Sequence, residues 1–340
     1  MKISAATLIK KNFIKILDLN LPKIQKGQVL VKIKYSSICH TQIQEIMGLR
    51  GKDKHLPHCL GHEATGLVEE VGSGVKKVKK NDKVCLTWLQ SGGKKAGGVK
   101  YLHKKKIING GPVNTFSNYA IISEDRILKL PKKNNLKRDV LMGCVIPTAF
   151  NAVFNTLKGT TKDNIIIFGT GGVGLACIFA AKKVGFKKIF ALDRVYKKLK
   201  VAKEFGATNL ILVKGNDHGS YLKKYENFFQ NGIECAGNLE LMKNGLKTIK
   251  NFGGKFVIIG NYPFKKEVKL DPWNFIMGKI VSGAWIDEFS YDKKFFKFYN
   301  KFKKFKWKKY FGKKIYKLNE INLAIQDLRA GKVIRPLIKM

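Results

Sequence analysis

Apolar and polar positions alternate with a period of two through residues 28–35, after the turn signal Lys26-Gly27, which predicts a strand within a strand-rich stretch of residues 1–38. Ile43, Ile46 and Met47 then fall at helical spacing before Gly48, so residues 41–47 read as a helix, with Cys39 and Thr41 at its entrance. His62 precedes a second β stretch at 64–71, which runs into the turn residues Gly72-Ser73-Gly74 and then a strand at 84–88. Residues 90–118 are rich in Gly, Lys and Asn with weak periodicity, and the expectation there is a long loop or lobe. Strand character returns at 119–123 and 127–130.

The pattern changes after Pro131. Residues 140–156 read as one helix, and a buried-type strand at 164–168 leads straight into Gly169-Thr170-Gly171-Gly172-Val173-Gly174 and a helix at 175–184. The next strand, 189–192, ends at Asp193, completing a βαβ unit. Alternation continues with helices at 197–205 and 239–250 and strands at 209–213, 233–236, 255–260 and 280–285. The fold class is therefore α/β: a β-rich first domain and a doubly wound parallel sheet. Between 291 and 311 lysines interleave with aromatics, and Phe295, Phe298, Tyr299 and Phe302 share one helical face. Such a face suits a membrane surface, but packing on its own domain is the favoured reading.

Composition narrows the function. A chain of 340 residues that is 44% hydrophobic has ample material for two cores. The net charge of +42 invites a polyanion partner, yet only six of the 66 basic residues are arginine, the residue suited to bidentate phosphate and base contacts. A solvated lysine surface, with no specific nucleic-acid partner, is the expectation. No apolar run reaches the roughly 18 residues of a membrane span, and Lys10-Lys11 interrupt the N-terminal segment, so a cytoplasmic protein without a membrane partner is expected. Cysteines at 39, 59, 85, 144, 177 and 235 have no paired spacing, which fits a reducing compartment. Cys59, Cys85, Cys177 and Cys235 lie in apolar runs and read as core. His55 and His58 read as solvated or hydrogen-bonded loop residues.

Two constellations carry chemistry. In the glycine loop, Gly169 permits a tight turn, Gly171 lets backbone approach a pyrophosphate and Gly174 allows close helix packing. Asp193, 19 residues after Gly174, suits the ribose hydroxyls and favours NAD over NADP, tempered by the adjacent Arg194. Cys39, His62 and Cys144 supply two thiolates and an imidazole, which suits a catalytic zinc with one position open to a hydroxyl.

Taken in order, Cys39-His40-Thr41, Leu60-Gly61-His62-Glu63 with Gly66, Gly72-Ser73-Gly74-Val75, Asp82-Lys83-Val84, Gly143-Cys144, the glycine loop, Asp193, Phe205-Gly206-Ala207-Thr208 and Gly331-Lys332 with Arg335 resemble the zinc-dependent medium-chain alcohol dehydrogenases over nearly the whole chain. The resemblance implies a GroES-like catalytic domain (1–146), a Rossmann NAD-binding domain (147–287) and a C-terminal return to the first (288–340), with the site in the cleft between them. It makes Cys39, His62 and Cys144 the zinc ligands and Thr41 the hydroxyl that takes the substrate proton, with Glu63 near the metal. His40 and Arg335 match positions that contact the cofactor pyrophosphate, Gly172 and Val173 belong to its loop, Lys198 lies near the adenosine ribose, and Trp88 is a wall of the substrate pocket. The implied activity is hydride transfer between an alcohol and NAD, in a dimer or tetramer built through the Rossmann sheet with 279–286 as the edge.

Three departures from the family qualify this. Residues 89–118 contain no cysteine, so one zinc and no structural zinc is expected. Gln42 replaces the usual carboxylate that accepts from the zinc-bound histidine. Gln44 stands at the end of the proton relay, where it does not titrate, leaving water or Glu45 as the exit. The 89–118 lobe and residues 271–274 and 286–288 are expected to shape specificity. The rival readings are a zinc-free quinone or enoyl reductase, which lacks the triad, and a basic binding protein, which leaves triad and glycine loop unexplained.

Overall fold

Strands dominate the first 130 residues: β1 (Lys2–Lys10), β2 (Phe13–Asn20), β3 (Gln28–Ser37), β4 (His58–Cys59), β5 (Ala64–Val71), β6 (Lys83–Leu86), β7 (Val99–His103), β8 (Lys106–Gly111), β9 (Tyr119–Ser123) and β10 (Ile127–Lys129), with helix α1 (His40–Ile46) after β3. This computed structural model describes residues 1–215, 218–286 and 291–340. They form two units, 1–144 with 291–300 and 307–340, and 145–286 with 301–306. In the first, β1, β2, β7, β8 and β4 close a barrel, and β3 is central to a seven-stranded sheet. Period-two patterning explains that sheet: Val29, Val31 and Ile33 of β3 face Val68, Val84 and Ile122 in one core. The expected loop at 90–118 is corrected, because it contains β7 and β8, paired antiparallel. Val99, Tyr101 and Ile108 point into the barrel between exposed lysines and leucines, an alternation hidden by the glycine-rich surroundings.

The helix expected over 140–156 is likewise corrected. After α2 (Leu136–Asp139), a 3-10 turn covers Val140–Gly143, Cys144 breaks the helical path with φ −151° and ψ −69°, and α3 (Val145–Phe150) continues as π-helical turns at Asn151–Leu157. Pro147 is tolerated in the first turn of α3, where backbone N–H groups have no intrahelical acceptor.

In the second unit β11 (Asn164–Phe168), β12 (Lys188–Asp193), β13 (Asn209–Leu212), β14 (Asn231–Glu234), β15 (Lys255–Ile258) and β16 (Ile280–Gly283) make a parallel sheet in the order β13-β12-β11-β14-β15-β16. Helices α4 (Gly172–Val184), α5 (Tyr196–Phe205), α6 (His218–Lys223), α7 (Leu239–Lys247) and α8 (Trp273–Ile276) connect them. The central strands β11 and β12 are near-continuous buried apolar runs, as expected for a sheet covered on both faces.

Helix α9 (Tyr291–Phe302) buries Phe295, Phe298, Tyr299 and Phe302 within the protein, as the packing reading expects. After α10 (Trp307–Phe311), β17 (Ile315–Lys317) and α11 (Ile321–Arg329), β18 (Leu337–Lys339) pairs antiparallel with β3, Ile338 opposite Ser36. Among the described residues no single helix is long and apolar enough to cross a membrane. Asp287 and Glu288, expected to shape specificity, and the expected boundary at 287–288 lie outside the described residues.

Candidate metal centre and dinucleotide loop

Three local devices bring the triad together inside the first unit. Cys39 is the N-cap of α1, in extended backbone, held at the end of β3 where the Ile38 amide donates to the Pro336 carbonyl at 3.2 Å. His62 follows Gly61, whose φ of +97° and crowding by Thr115 Oγ1 and the Phe116 amide admit only glycine. Cys144 follows Gly143, where a Cβ would meet the Leu86 carbonyl at 2.4 Å and Glu63 Cβ at 2.7 Å. The Thr87 hydroxyl pins the Gly143 carbonyl at 2.8 Å. One donor atom each from Cys39, His62 and Cys144 lies within 4.8 Å of the others, the cysteines buried and the histidine half-buried.

The donor set fits zinc. His62 Nε2 is buried with no hydrogen-bond partner, so a lone pair or N–H is left unsatisfied in the protein alone. The hydrogen bond from Cys144 holds Cys39 well below the usual thiol range, helped by Arg335 and His62. The same bond, together with burial, pushes Cys144 well up.

Behind the triad, Glu63 Oε1 accepts from the Ser37 hydroxyl and from both Nε (2.8 Å) and an Nη of Arg335. Both partners are buried, and burial pushes the Glu63 carboxyl up against the opposing pull of Arg335. Glu63 Oε2 has no partner. Sequence reasoning missed Ser37 and this pairing, since Arg335 reaches Glu63 only because β18 is laid beside β3.

Thr41 lies in the first turn of α1, its hydroxyl 3.5 Å from Cys39 Sγ. His40 is exposed beside it, Gln44 is half-buried, and Trp88 is half-buried after β6, its carbonyl accepting from Arg126. Gln42 does not accept from His62: its Oε1 is unpartnered and its Nε2 donates to Glu45 Oε2 at 2.6 Å. Glu45 Oε1 lies 3.8 Å from His58 Nε2, which Asp53 Oδ2 also meets at 2.8 Å. His58 is thus a buried, hydrogen-bonded strand residue on the wall of a cleft of about 700 Å³ that Glu45, Asp53 and His55 also line.

In the second unit, Gly169 has φ +87° and Gly174 approaches it so closely that a Cβ would lie 1.9 Å from the Gly169 carbonyl oxygen. Gly171 caps α4 with open space where its Cβ would be. Gly172 and Val173 open the helix, half-buried, with the free amides of its first turn. Asp193 ends β12; its Oδ2 accepts from the Thr170 amide and hydroxyl, both at 2.8 Å, and its Oδ1 from the Val195 amide at 2.9 Å. Arg194 is exposed and Lys198 half-buried on α5.

Known proteins match both units. The alcohol dehydrogenase GroES-like domain family matches residues 25–132, and the zinc-binding dehydrogenase family matches 172–295. The S-(hydroxymethyl)glutathione dehydrogenase of Photobacterium damsela subsp. piscicida is 30% identical over 303 residues, 80% of this chain and 81% of its own length. The crystal structure of benzyl alcohol dehydrogenase from Acinetobacter calcoaceticus aligns with TM-score 0.86 and 26% identity, over 100% of this chain and 99% of that one. The 2R,3R-butanediol dehydrogenase of Bacillus subtilis shares the fold, with TM-score 0.78 and 23% identity over 99% of each chain.

Proposed function

This chain belongs to the zinc-binding alcohol dehydrogenase family and carries its NAD-linked zinc oxidoreductase chemistry, and on that premise we propose that it moves hydride between an alcohol hydroxyl and NAD, with Thr41 taking the hydroxyl proton. The observation that carries the reading is the Cys39, His62 and Cys144 triad with its unpartnered His62 Nε2. Zinc bound there supplies a Lewis acid that lowers the pKa of a hydroxyl toward neutrality. Thr41 stands beside Cys39 to accept that proton, and Glu63, fixed by Ser37 and Arg335, holds a carboxyl behind the thiols. Gln44 does not titrate, so the proton leaves by Glu45 or water. The amides opening α4 and His40 contact the pyrophosphate and Asp193 the ribose, with Arg194 and Lys198 as cationic contacts beside it and Trp88 as a substrate wall. Arg335, paired with Glu63, is proposed as a further pyrophosphate contact.

The subunits assemble through β16, the edge of the parallel sheet, where Ile280, Trp285 and Ile276 are 47%, 72% and 68% exposed. We place the protein in the cytoplasm, without nucleic-acid or membrane partners. The experiment is metal analysis with an absorbance assay of NADH on simple alcohols, benzyl alcohol and S-(hydroxymethyl)glutathione. One zinc per chain and turnover lost in Cys144→Ser, with the fold intact, are expected; undiminished turnover in that variant overturns the reading. Sedimentation should give a dimer or tetramer that Ile280→Lys dissociates, and a monomeric wild type refutes the edge.

A further inference from the structure

Because Gln44 does not titrate, the path from Thr41 needs another group that takes up and releases a proton. Glu45 lies four residues past Thr41 on α1, a spacing that places both side chains on one face, about 5–6 Å apart at Cβ. Gln42 Nε2 holds Glu45 Oε2 at 2.6 Å, and Glu45 Oε1 stands 3.8 Å from His58 Nε2. The terminal torsion of a glutamate is soft, so a small turn of the carboxyl closes that gap to a hydrogen bond.

His58 is held from every side. Strand β4 carries it between β1 and β8, opposite Leu8 and Asn109. Its Nδ1 meets the Cys59 carbonyl at 3.0 Å and its Nε2 meets Asp53 Oδ2 at 2.8 Å. A carbonyl only accepts, so Nδ1 carries a hydrogen, and the contact of Nε2 with a carboxylate needs a second hydrogen between two lone pairs. One proton is therefore stored between His58 and Asp53. Asp53 is itself fixed, its Oδ1 accepting from the His55 amide at 2.8 Å, and the Asn109 side chain holds the His55 carbonyl at 2.7 Å. The His58 side chain is 10% exposed and that of Asp53 23%, so the carboxylate is the member that meets solvent in the cleft of about 700 Å³. Arg50, Lys52 and Lys54 of the same loop and Lys100 of β7 also line it, and their positive charge disfavours retention of a proton on the cluster.

We propose that His58, set between Glu45 and Asp53, is the terminus of the proton path, passing the hydroxyl proton from Glu45 to solvent in the cleft. The proposal rests on the hydride-transfer reading with Thr41 as first acceptor. Asp53 hands the stored proton to a cleft water; the Glu45 carboxyl, which has received the hydroxyl proton by way of Thr41 and a bridging water, then gives it to His58 Nε2. The alcohol O–H bond breaks, its electron pair stays on the alcohol oxygen, and an O–H bond to solvent forms. Each relay group returns to its starting protonation. The same steps in reverse supply the proton for carbonyl reduction.

Zinc-loaded wild type, His58→Gln and Glu45→Gln are compared, with zinc content and thermal unfolding checked for each. His58→Gln keeps a donor within reach of Asp53 and removes the titrating ring, and Glu45→Gln keeps the test open if that variant does not fold. Single-turnover NADH formation, from the alcohol that the wild type oxidises fastest, is expected to slow at least about tenfold in both variants in dilute buffer. In His58→Gln the rate should recover in proportion to added phosphate or MES, and in the wild type it should not. Nitrogen-15 spectra of histidine-labelled protein give a readout apart from turnover, the His58 ring being the one of six that His58→Gln lacks. Its Nδ1 should carry a hydrogen, and its Nε2 signal should move in Glu45→Gln. A bare Nδ1, an Nε2 signal indifferent to Glu45→Gln, wild-type rates in the variants, or a slow His58→Gln that ignores buffer overturns the proposal. Each of these in an active wild type leaves the hydride-transfer reading standing, whereas a wild type that oxidises no alcohol overturns both.

Discussion

Arg335→Met tests the support behind the metal triad. The substitution keeps the stem and removes the guanidinium, leaving a fully buried Glu63 with the Ser37 hydroxyl as its remaining bonded partner. Breaking one side of a buried ion pair costs about 3–5 kcal/mol. Glu63 has an escape, which is to take up a proton. For an ordinary carboxyl at pH 7 that costs about 3.6 kcal/mol, 1.36 kcal/mol for each pH unit above its pKa. Burial already pushes Glu63 up, so the escape costs less and the expected loss at pH 7 is about 3 kcal/mol, the low end of the range. The sign with pH follows. In the variant the folded carboxyl titrates above its unfolded value, so the penalty is full at neutral pH and fades as pH falls toward 5. The assay is urea unfolding of zinc-loaded protein at pH 7 and 5, on Arg335→Met, Glu63→Gln and the double variant. The double variant should recover about half or more of the Arg335→Met loss at pH 7. Strict additivity of the two substitutions, or a deficit that does not change with pH, refutes a charged Glu63 paired to Arg335.

Two further perturbations separate function from stability. Gly174→Ala forces a Cβ to within 1.9 Å of the Gly169 oxygen and should cut NAD affinity at least tenfold with zinc content unchanged, whereas Gly171→Ala meets open space and should leave thermal stability unaltered while still weakening NAD; equal NAD affinity in Gly171→Ala contradicts the loop assignment. Glu124 is buried, yet the amides of Lys77, Lys94 and Lys76, at 2.7, 2.6 and 2.6 Å, hold its carboxyl below the usual range. Its contribution is present above the unfolded carboxyl value near 4.5 and lost as pH falls through the folded one. Glu124→Gln should therefore cost about 1–2 kcal/mol at pH 7 and close to nothing near pH 3 in denaturant titrations.

What could be read from the sequence was whatever repeats locally. The βαβ unit is legible because a buried strand, a glycine loop, a helix and an acid follow one another within thirty residues. The triad was named from motifs, yet the geometry that assembles it was not. Gly61 and Gly143 matter because of what lies across the fold from them, Thr115 and Leu86, contacts that no local pattern encodes. The barrel strands at 99–111 were overlooked because five or six alternating residues are a weak signal inside a lysine- and glycine-rich segment. The break at Cys144 was missed for a related reason: its apolar neighbours keep helical spacing on both sides, so the local pattern gives no sign of it. Arg335 was assigned to the cofactor by motif, while its pairing with Glu63 depends on a strand contact 272 residues distant in the chain.

That contact sets an order for biosynthesis. Strand β18 delivers Arg335 to Glu63, so the carboxyl behind the ligands stays without its partner until residue 335 has left the ribosome. At 5–20 residues per second, roughly 10–40 s pass after Cys144 emerges. The parallel-sheet unit, complete but for 301–306 by residue 286, has time to form in that interval. A nascent chain therefore presents its thiols before it can hold their surroundings, and a stall or cleavage upstream of 335 would leave cysteines open to stray metals and oxidants.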